Sequence, residues 1–171
     1  MKRRSDQRSR ILPALLSAIV FAGTVYVAYL WCYLPYRCNI LERTAESSML
    51  RAENLSTLQR TALARENLEQ SLAWIGKCHR DLNFYMIAAA SLRELGRSAE
   101  AIPIYQKSLT LDRRPEIYLN LGQAQAEAGQ DGEAIPNLAA AIIFDPALIT
   151  EVPATLQQKV QDYVRTHAAA L

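Results

Sequence analysis

Apolar residues in this chain follow two different patterns. From Ile11 to Leu34 they run without a single charged side chain, whereas from Glu42 onward they recur every three to five residues between short polar breaks. The first pattern, written as a helix, is about 36 Å long and exceeds the ~30 Å hydrocarbon core of a bilayer. The second is the spacing of amphipathic helices, which need one apolar stripe facing a neighbour. Together they predict an all-α chain: one transmembrane helix, then a short series of packed helices.

The best-defined helical pattern lies between Leu82 and Pro146. Tyr118, Leu121, Gly122 and Gln125 fall on one face, the chain breaks at Gly129-Gln130-Asp131-Gly132, and Ala134, Ile135, Leu138, Ala141 and Ile142 form a second stripe. Tyr85, Ala88, Ala89 and Leu92, then Gly96-Arg97-Ser98, then Ala101, Ile102, Tyr105, Ser108 and Leu109 do the same one step earlier. The tetrapeptide Glu-Ala-Ile-Pro occurs in both second helices, at Glu100–Pro103 and Glu133–Pro136, an offset of 33 residues. At that offset Tyr85 meets Tyr118, Glu94 meets Glu127, Gly96 meets Gly129 and Asp112 meets Asp145. A period of this length marks a solenoid, whose units bury their apolar faces only against one another.

Gly96 and Gly129 stand where a helix C-cap requires positive φ. Ser98 and Asp131 are read as N-caps of the following helices, and Pro103 and Pro136 as bends early in them. Ala89, Gly122, Ala101 and Ala134 are small where two helices of a hairpin must cross closely.

These positions resemble the tetratricopeptide repeat. The likeness covers Leu82–Pro146, through Tyr85, Ala88-Ala89, Leu92, Gly96, Ala101, Tyr105, Ser108 and Asp112 in one unit, and Tyr118, Leu121-Gly122, Gly129, Ala134, Leu138, Ala141 and Asp145-Pro146 in the next. Arg113 replaces the proline usual in the family. The resemblance implies a groove lined by first helices. By position that wall takes Asn83, Met86, Ala90, Arg93 and Glu94, then Glu116, Leu119, Gln123, Ala126 and Glu127. Carboxylate-clamping members carry lysine, asparagine and arginine there. Only Asn120 stands near such a position here, so that mode is not expected.

Flanking segments complete the expected organisation: a basic tail 1–10, a transmembrane helix 11–34, a degenerate segment 35–81, repeat units 82–114 and 115–146, and a capping helix with tail 147–171. In the degenerate segment Leu50, Leu55, Leu58, Leu63, Leu68, Leu72 and Ile75 are apolar, and Ser56-Thr57-Leu58-Gln59 has the form of a capping box. A helical hairpin and one long helix both fit. Leu156, Val160 and Val164 give 153–165 the single apolar face of a terminal cap, and 167–171 reads as frayed.

Charge decides the expected compartment. Lys2, Arg3, Arg4, Arg8 and Arg10 precede the span, offset by Asp6, while Arg37 and Arg43 beyond it alternate with Glu42 and Glu46. The positive-inside rule then puts the amino terminus in the cytoplasm and the repeats in the periplasm of a bacterial inner membrane. A signal peptide cleaved after Ala22 is the rival, and the apolar run that continues past Ala22 opposes it. Trp31, Tyr33 and Tyr36 would form an aromatic belt, with Pro35 ending the helix. Ala14, Ala18 and Ala22 are spaced for close helix approach, and the Tyr26 and Tyr29 hydroxyls want partners within the membrane.

The overall charge of +2 comes from 19 basic and 17 acidic residues, and without the tail 14 basic face 16 acidic. That balance leaves no footprint for nucleic acid. Cys38 and Cys78 are either two free thiols or one disulfide clamping the degenerate segment. Cys78-His79 has no further Cys/His cluster nearby, His167 stands alone, and no glycine-rich loop offers a phosphate cradle. The expectation is a non-enzymatic scaffold without cofactor, metal or small-molecule substrate. Its partners would be other membrane or periplasmic proteins, and lipid through the span. Two further readings stay open: a structural subunit docked through its membrane helix, and an organellar receptor with cytosolic repeats.

Overall fold

The computed structural model describes residues 3–51, 55–78 and 81–167. The elements run α1 (Arg3–Ala28), a π-helical turn (Tyr29–Tyr33), α2 (Leu34–Arg51), α3 (Thr57–Trp74), α4 (Asp81–Glu94), α5 (Ser98–Leu111), α6 (Pro115–Glu127), α7 (Asp131–Phe144), a 3-10 turn (Pro146–Glu151) and α8 (Ala154–His167). Two compact units result, Met1–Leu41 and Glu42–Leu171.

In the first unit the helix does not stop at Pro35. The chain passes through the π turn and continues as α2, with the Leu34 amide donating to the Tyr29 carbonyl. Proline cannot donate to the preceding turn, and its ring crowds the carbonyl four residues back. A wider π turn ahead of Pro35 relieves that crowding without ending the helix. Tyr29 and Tyr33 stack across it with ring centroids 5.5 Å apart. Residues Leu15–Thr44 are long and apolar enough to cross a membrane, and none of the apolar window is buried inside the protein. Thr24 satisfies its hydroxyl locally by donating to the Phe21 carbonyl at 2.8 Å.

In the second unit the degenerate segment is not one long helix. Ser56 caps α3: its side chain accepts from the Gln59 amide while Gln59 Oε1 accepts from the Ser56 amide. The buried face of α3 differs from the leucine stripe read from sequence. Ala64, Asn67, Leu68 and Ser71 turn inward, whereas Leu58 and Leu72 are 81% and 53% exposed. Leu58 and Leu72 lie about four turns apart on the same side of the helix, flanking the buried stripe on its solvent side.

From α3 onward each helix packs on the next, and α4 also touches α6. The turns that produce this stacking are short. Gly96 has φ +70° and Gly129 φ +76°. In each case the glycine amide donates back to the first helix, to the Arg93 and Ala126 carbonyls respectively, and the next amide donates to the carbonyl one residue earlier, Arg97 to Leu92 and Gln130 to Gln125. This is the double closure of a Schellman motif. Arg97 and Gln130 also serve as the N-caps of α5 and α7, without side-chain hydrogen bonds. Ser98 and Asp131 are therefore first helical residues and not caps, because the Schellman closure already sets the entry of the next helix one residue earlier. Pro103 and Pro136 sit inside α5 and α7, which run on unbroken.

The core is built on small residues. Ala88, Ala89, Ala101, Ala124, Ala134, Ala139 and Ala141 are fully buried. At Gly122 the crossing is closest, since a Cβ there would lie 2.6 Å from Leu138 Cγ and 3.1 Å from the Ala134 carbonyl oxygen. Leu156 and Val160 of α8 are buried against the far end, with Tyr163 and Val164 packed beside them.

Gly122→Ala should therefore destabilise the protein even though alanine favours a helix interior by ~1 kcal/mol over glycine. Overpacking against a buried leucine and a backbone oxygen costs about 1–3 kcal/mol. A lowered urea midpoint is expected, and an unchanged or raised midpoint would refute the close crossing.

Candidate protein-interaction surface

The residues expected to line the first-helix wall are in place on α4 and α6, but most are already engaged. Asn83 donates its amide to the Glu42 carboxylate, tying α2 to α4. Gln123 donates to the Glu151 carbonyl at 2.8 Å. Glu94 lies 3.9 Å from the Arg60 guanidinium. Leu119 is not on the wall: it is 3% exposed and packs in a cluster with Leu138, Val152, Leu156 and Val160. The 3-10 turn and α8 take the place that another unit would occupy, so Leu119 becomes a contact between helices. Met86 and Ala126 are partly buried against the core, Ala90 is half-buried and Glu116 is exposed.

Arg93 and Glu127, expected as edges of the wall, are paired with each other. Arg93 Nη2 meets Glu127 Oε1 at 2.5 Å and Nε meets Oε2 at 3.1 Å, while Nη1 donates to Asn120 Oδ1 at 3.1 Å. The Ser98 hydroxyl adds a 2.6 Å hydrogen bond to Glu127 Oε2. This fork joins the carboxyl ends of α4 and α6, the first helices of successive units. Such bidentate pairs fix orientation as well as adding energy.

The electrostatics follow from that geometry. Burial opposes the Arg93 charge, yet the hydrogen bond and charge of Glu127 hold its pKa above the ordinary value. Burial pushes the Glu127 carboxyl up, but hydrogen bonds from Arg93 and Ser98 outweigh it and hold the group below its ordinary 4.5. The Tyr105 hydroxyl lies buried beside the same guanidinium without a well-formed hydrogen bond, and its burial raises its pKa. Sequence reasoning could have found the pair. Glu94 and Glu127 are repeat equivalents, and each meets an arginine, Arg60 or Arg93.

Ala18, Ala22 and Tyr26 on α1 are exposed, as are Tyr29 and Trp31 (79%) in the π turn. The side chain of Ala14 and the residue His79 lie outside the described set. Cys32 is free and exposed. Cys38 and Cys78 are both buried and engaged. His167 stacks on Tyr163, centroids 4.2 Å apart, at the end of α8. A shallow hollow lined by Arg65, Leu68, Glu69, Leu95 and Arg97 opens between α3 and the Gly96 turn, and there Arg97 is committed to Glu100.

The family described as the tetratricopeptide repeat matches residues 82–115, spanning α4, α5 and the link to α6. No curated protein matches the chain. No solved structure matches it either.

Arg93→Ala should lower stability by about 1–2 kcal/mol, the range for hydrogen bonds to a charged group reduced for a carboxylate partly open to solvent. The Glu127 pKa is lower folded than unfolded, so the pair contributes fully above about pH 4.5 and its contribution fades as pH falls further. Wild type should lose its advantage over Arg93→Ala below that pH in parallel denaturation series. An advantage that does not change with pH would exclude the ion pair as its source.

Proposed function

We propose that this chain, which carries a tetratricopeptide repeat, is a non-enzymatic scaffold held in a membrane by its amino-terminal helix. The apolar window within Leu15–Thr44, none of it buried inside the protein, carries the membrane part of this reading. The repeat carries the protein-binding part. The cluster Lys2, Arg3, Arg4, Arg8 and Arg10 ahead of the span favours a cytoplasmic amino terminus and repeats in the periplasm of a bacterial inner membrane.

The partner is another membrane or periplasmic protein, bound as a segment or a subunit face against the first-helix wall. Met86, Ala90, Glu116 and Ala126 make the accessible part of that wall. Arg93, Glu127, Asn83 and Gln123 hold its shape through hydrogen bonds within the protein. Cys38 and Cys78 are bridged to each other in this reading, which an oxidising periplasm permits. The bridge closes a loop of about 40 residues and contributes on the order of 3–4 kcal/mol in the chain-entropy model.

A second reading, a structural subunit docked through its span, is favoured by Tyr26 and Tyr29. Both are exposed along the membrane helix, where a neighbouring helix would satisfy their hydroxyls.

Recovery of the full chain from membranes in mild detergent should bring down a stoichiometric protein partner. Scrambling Ile11–Leu34 with its hydrophobicity kept should leave that partner bound; its loss would favour the subunit reading. Recovery of the chain alone at native levels would contradict both. Separately, Cys38→Ser should slow migration in a non-reducing gel, and unchanged mobility would exclude the bridge.

A further inference from the structure

The two ends of the stacked helices are finished in opposite ways. At the carboxyl end α8 turns Gln158, Lys159, Gln161, Asp162 and Arg165 to solvent. Its charges are spent within the chain: Lys159 faces Asp131 at 3.8 Å, Arg165 faces Asp162 at 3.5 Å, and Gln158 donates to Asp162 at 3.1 Å. No large hydrophobic residue of α8 is exposed among the described residues. At the amino end α3 packs on α4, and its outer face is left apolar. Leu58 is 81% exposed, more than any other large hydrophobic residue of the array, and Leu72 is 53% exposed.

These leucines belong to a seam. Leu58, Ala62, Arg65, Glu69 and Leu72 are all exposed and follow one another by steps of four, three, four and three. That is the spacing on which a second helix lies, with a leucine at each end and opposite charges between them. Among the described residues neither Arg65 nor Glu69 has an ion-pair partner. Arginine ahead of glutamate is also the weaker order for a pair within one helix. The array's other exposed large hydrophobics, Leu111 and Phe144, each stand singly as the last residue of α5 or α7, so neither forms a seam.

The order of residues along the seam indicates its occupant. Leu58 and Leu72 stand seven residues to either side of Arg65. An antiparallel copy of α3, related by a two-fold axis at Arg65, therefore sets each Leu58 against the other copy's Leu72. The two arginines meet near the axis, where Glu66 and Glu69 of both copies supply four carboxylates. A two-fold contact uses one patch twice, so the patch must carry both members of every pairing. This seam does, and an unrelated partner would ask for no such symmetry. We infer that the outer face of α3 docks on α3 of a second copy of this chain, antiparallel about Arg65. One helix on one helix is a contact at the small end of specific interfaces, suited to a reversible dimer. The inference stands apart from the membrane-anchored reading. Its consequence is a pair of first-helix walls in one assembly, which binds a two-site partner more tightly than one wall does.

Disulfide trapping tests both the contact and its direction. The full chain is purified in mild detergent with Cys32→Ser, which removes the free thiol, and new cysteines are added one at a time. On mild oxidation Arg65→Cys chains should link to one another, and Leu58→Cys chains should link to Leu72→Cys chains in a mixture. Leu58→Cys alone should not link, because the two positions lie fourteen residues apart along the paired helices, about 21 Å. In the Leu58→Cys and Leu72→Cys mixture, Arg65→Glu in both chains should cut the linked fraction several-fold, and adding Glu69→Arg to both should restore it. Self-linking of Leu58→Cys would overturn the antiparallel pairing, and equal linking of Gln106→Cys on the exposed side of α5 would reduce it to random collision. A linked fraction indifferent to both charge changes would assign the association to another part of the chain, the span included, and overturn the α3 contact. In whole membranes, linkage of Arg65→Cys to a different protein and not to its own copy would give the face to another partner and overturn the inference.

Discussion

Close helix crossing is the constraint on which this array depends. Gly122 against Leu138, and the fully buried alanines around it, let α6 and α7 approach until backbone and side chain touch. That proximity fixes the angle of the α6–α7 hairpin, and the small residues Ala88, Ala89 and Ala101 give α4 and α5 a similarly close contact. Arg93 can fork onto Glu127 only because α4 and α6 are held side by side with their carboxyl ends level. A bulkier residue at Gly122 would push α7 off α6, while the polar joint between α4 and α6 is held through α5, which packs on both.

The sequence made legible whatever depends on local chemistry or on the repeat. The glycine turns follow from a backbone requirement that no other residue meets cheaply, so Gly96 and Gly129 were readable in isolation. The capping box at Ser56 was readable for the same reason. What could not be read were properties set by neighbours distant in the chain. Leu119 looks like a groove residue until α8 folds over it. Leu58 and Leu72 look like core until α4 chooses the Ala64-Leu68-Ser71 side of α3. Pro35 reads as a helix end, because no sequence rule signals that a π turn will absorb it. The N-caps moved by one residue because the Schellman closure and the next helix share a residue.

The polar residues of the candidate wall carry the same lesson for function. By type and position Asn83, Arg93, Gln123 and Glu127 could be ligand contacts, yet each is bonded within the array. They stiffen the surface, which lowers the entropy lost when a partner docks. In the proposed reading, the recognition chemistry left to the wall is mainly apolar and small, with Glu116 as its outward charge. Such a surface suits a short apolar segment or a flat subunit face better than a charged terminus.

The most direct test of the account is site-specific photocrosslinking in living cells, with a photoreactive residue replacing Met86 or Glu116 on the wall, or Gln106 on the exposed side of α5. Adducts with one protein are predicted from Met86 and Glu116 and none from Gln106. Adducts from Gln106 alone, or from none of the three positions, would contradict a scaffold that binds through its first helices.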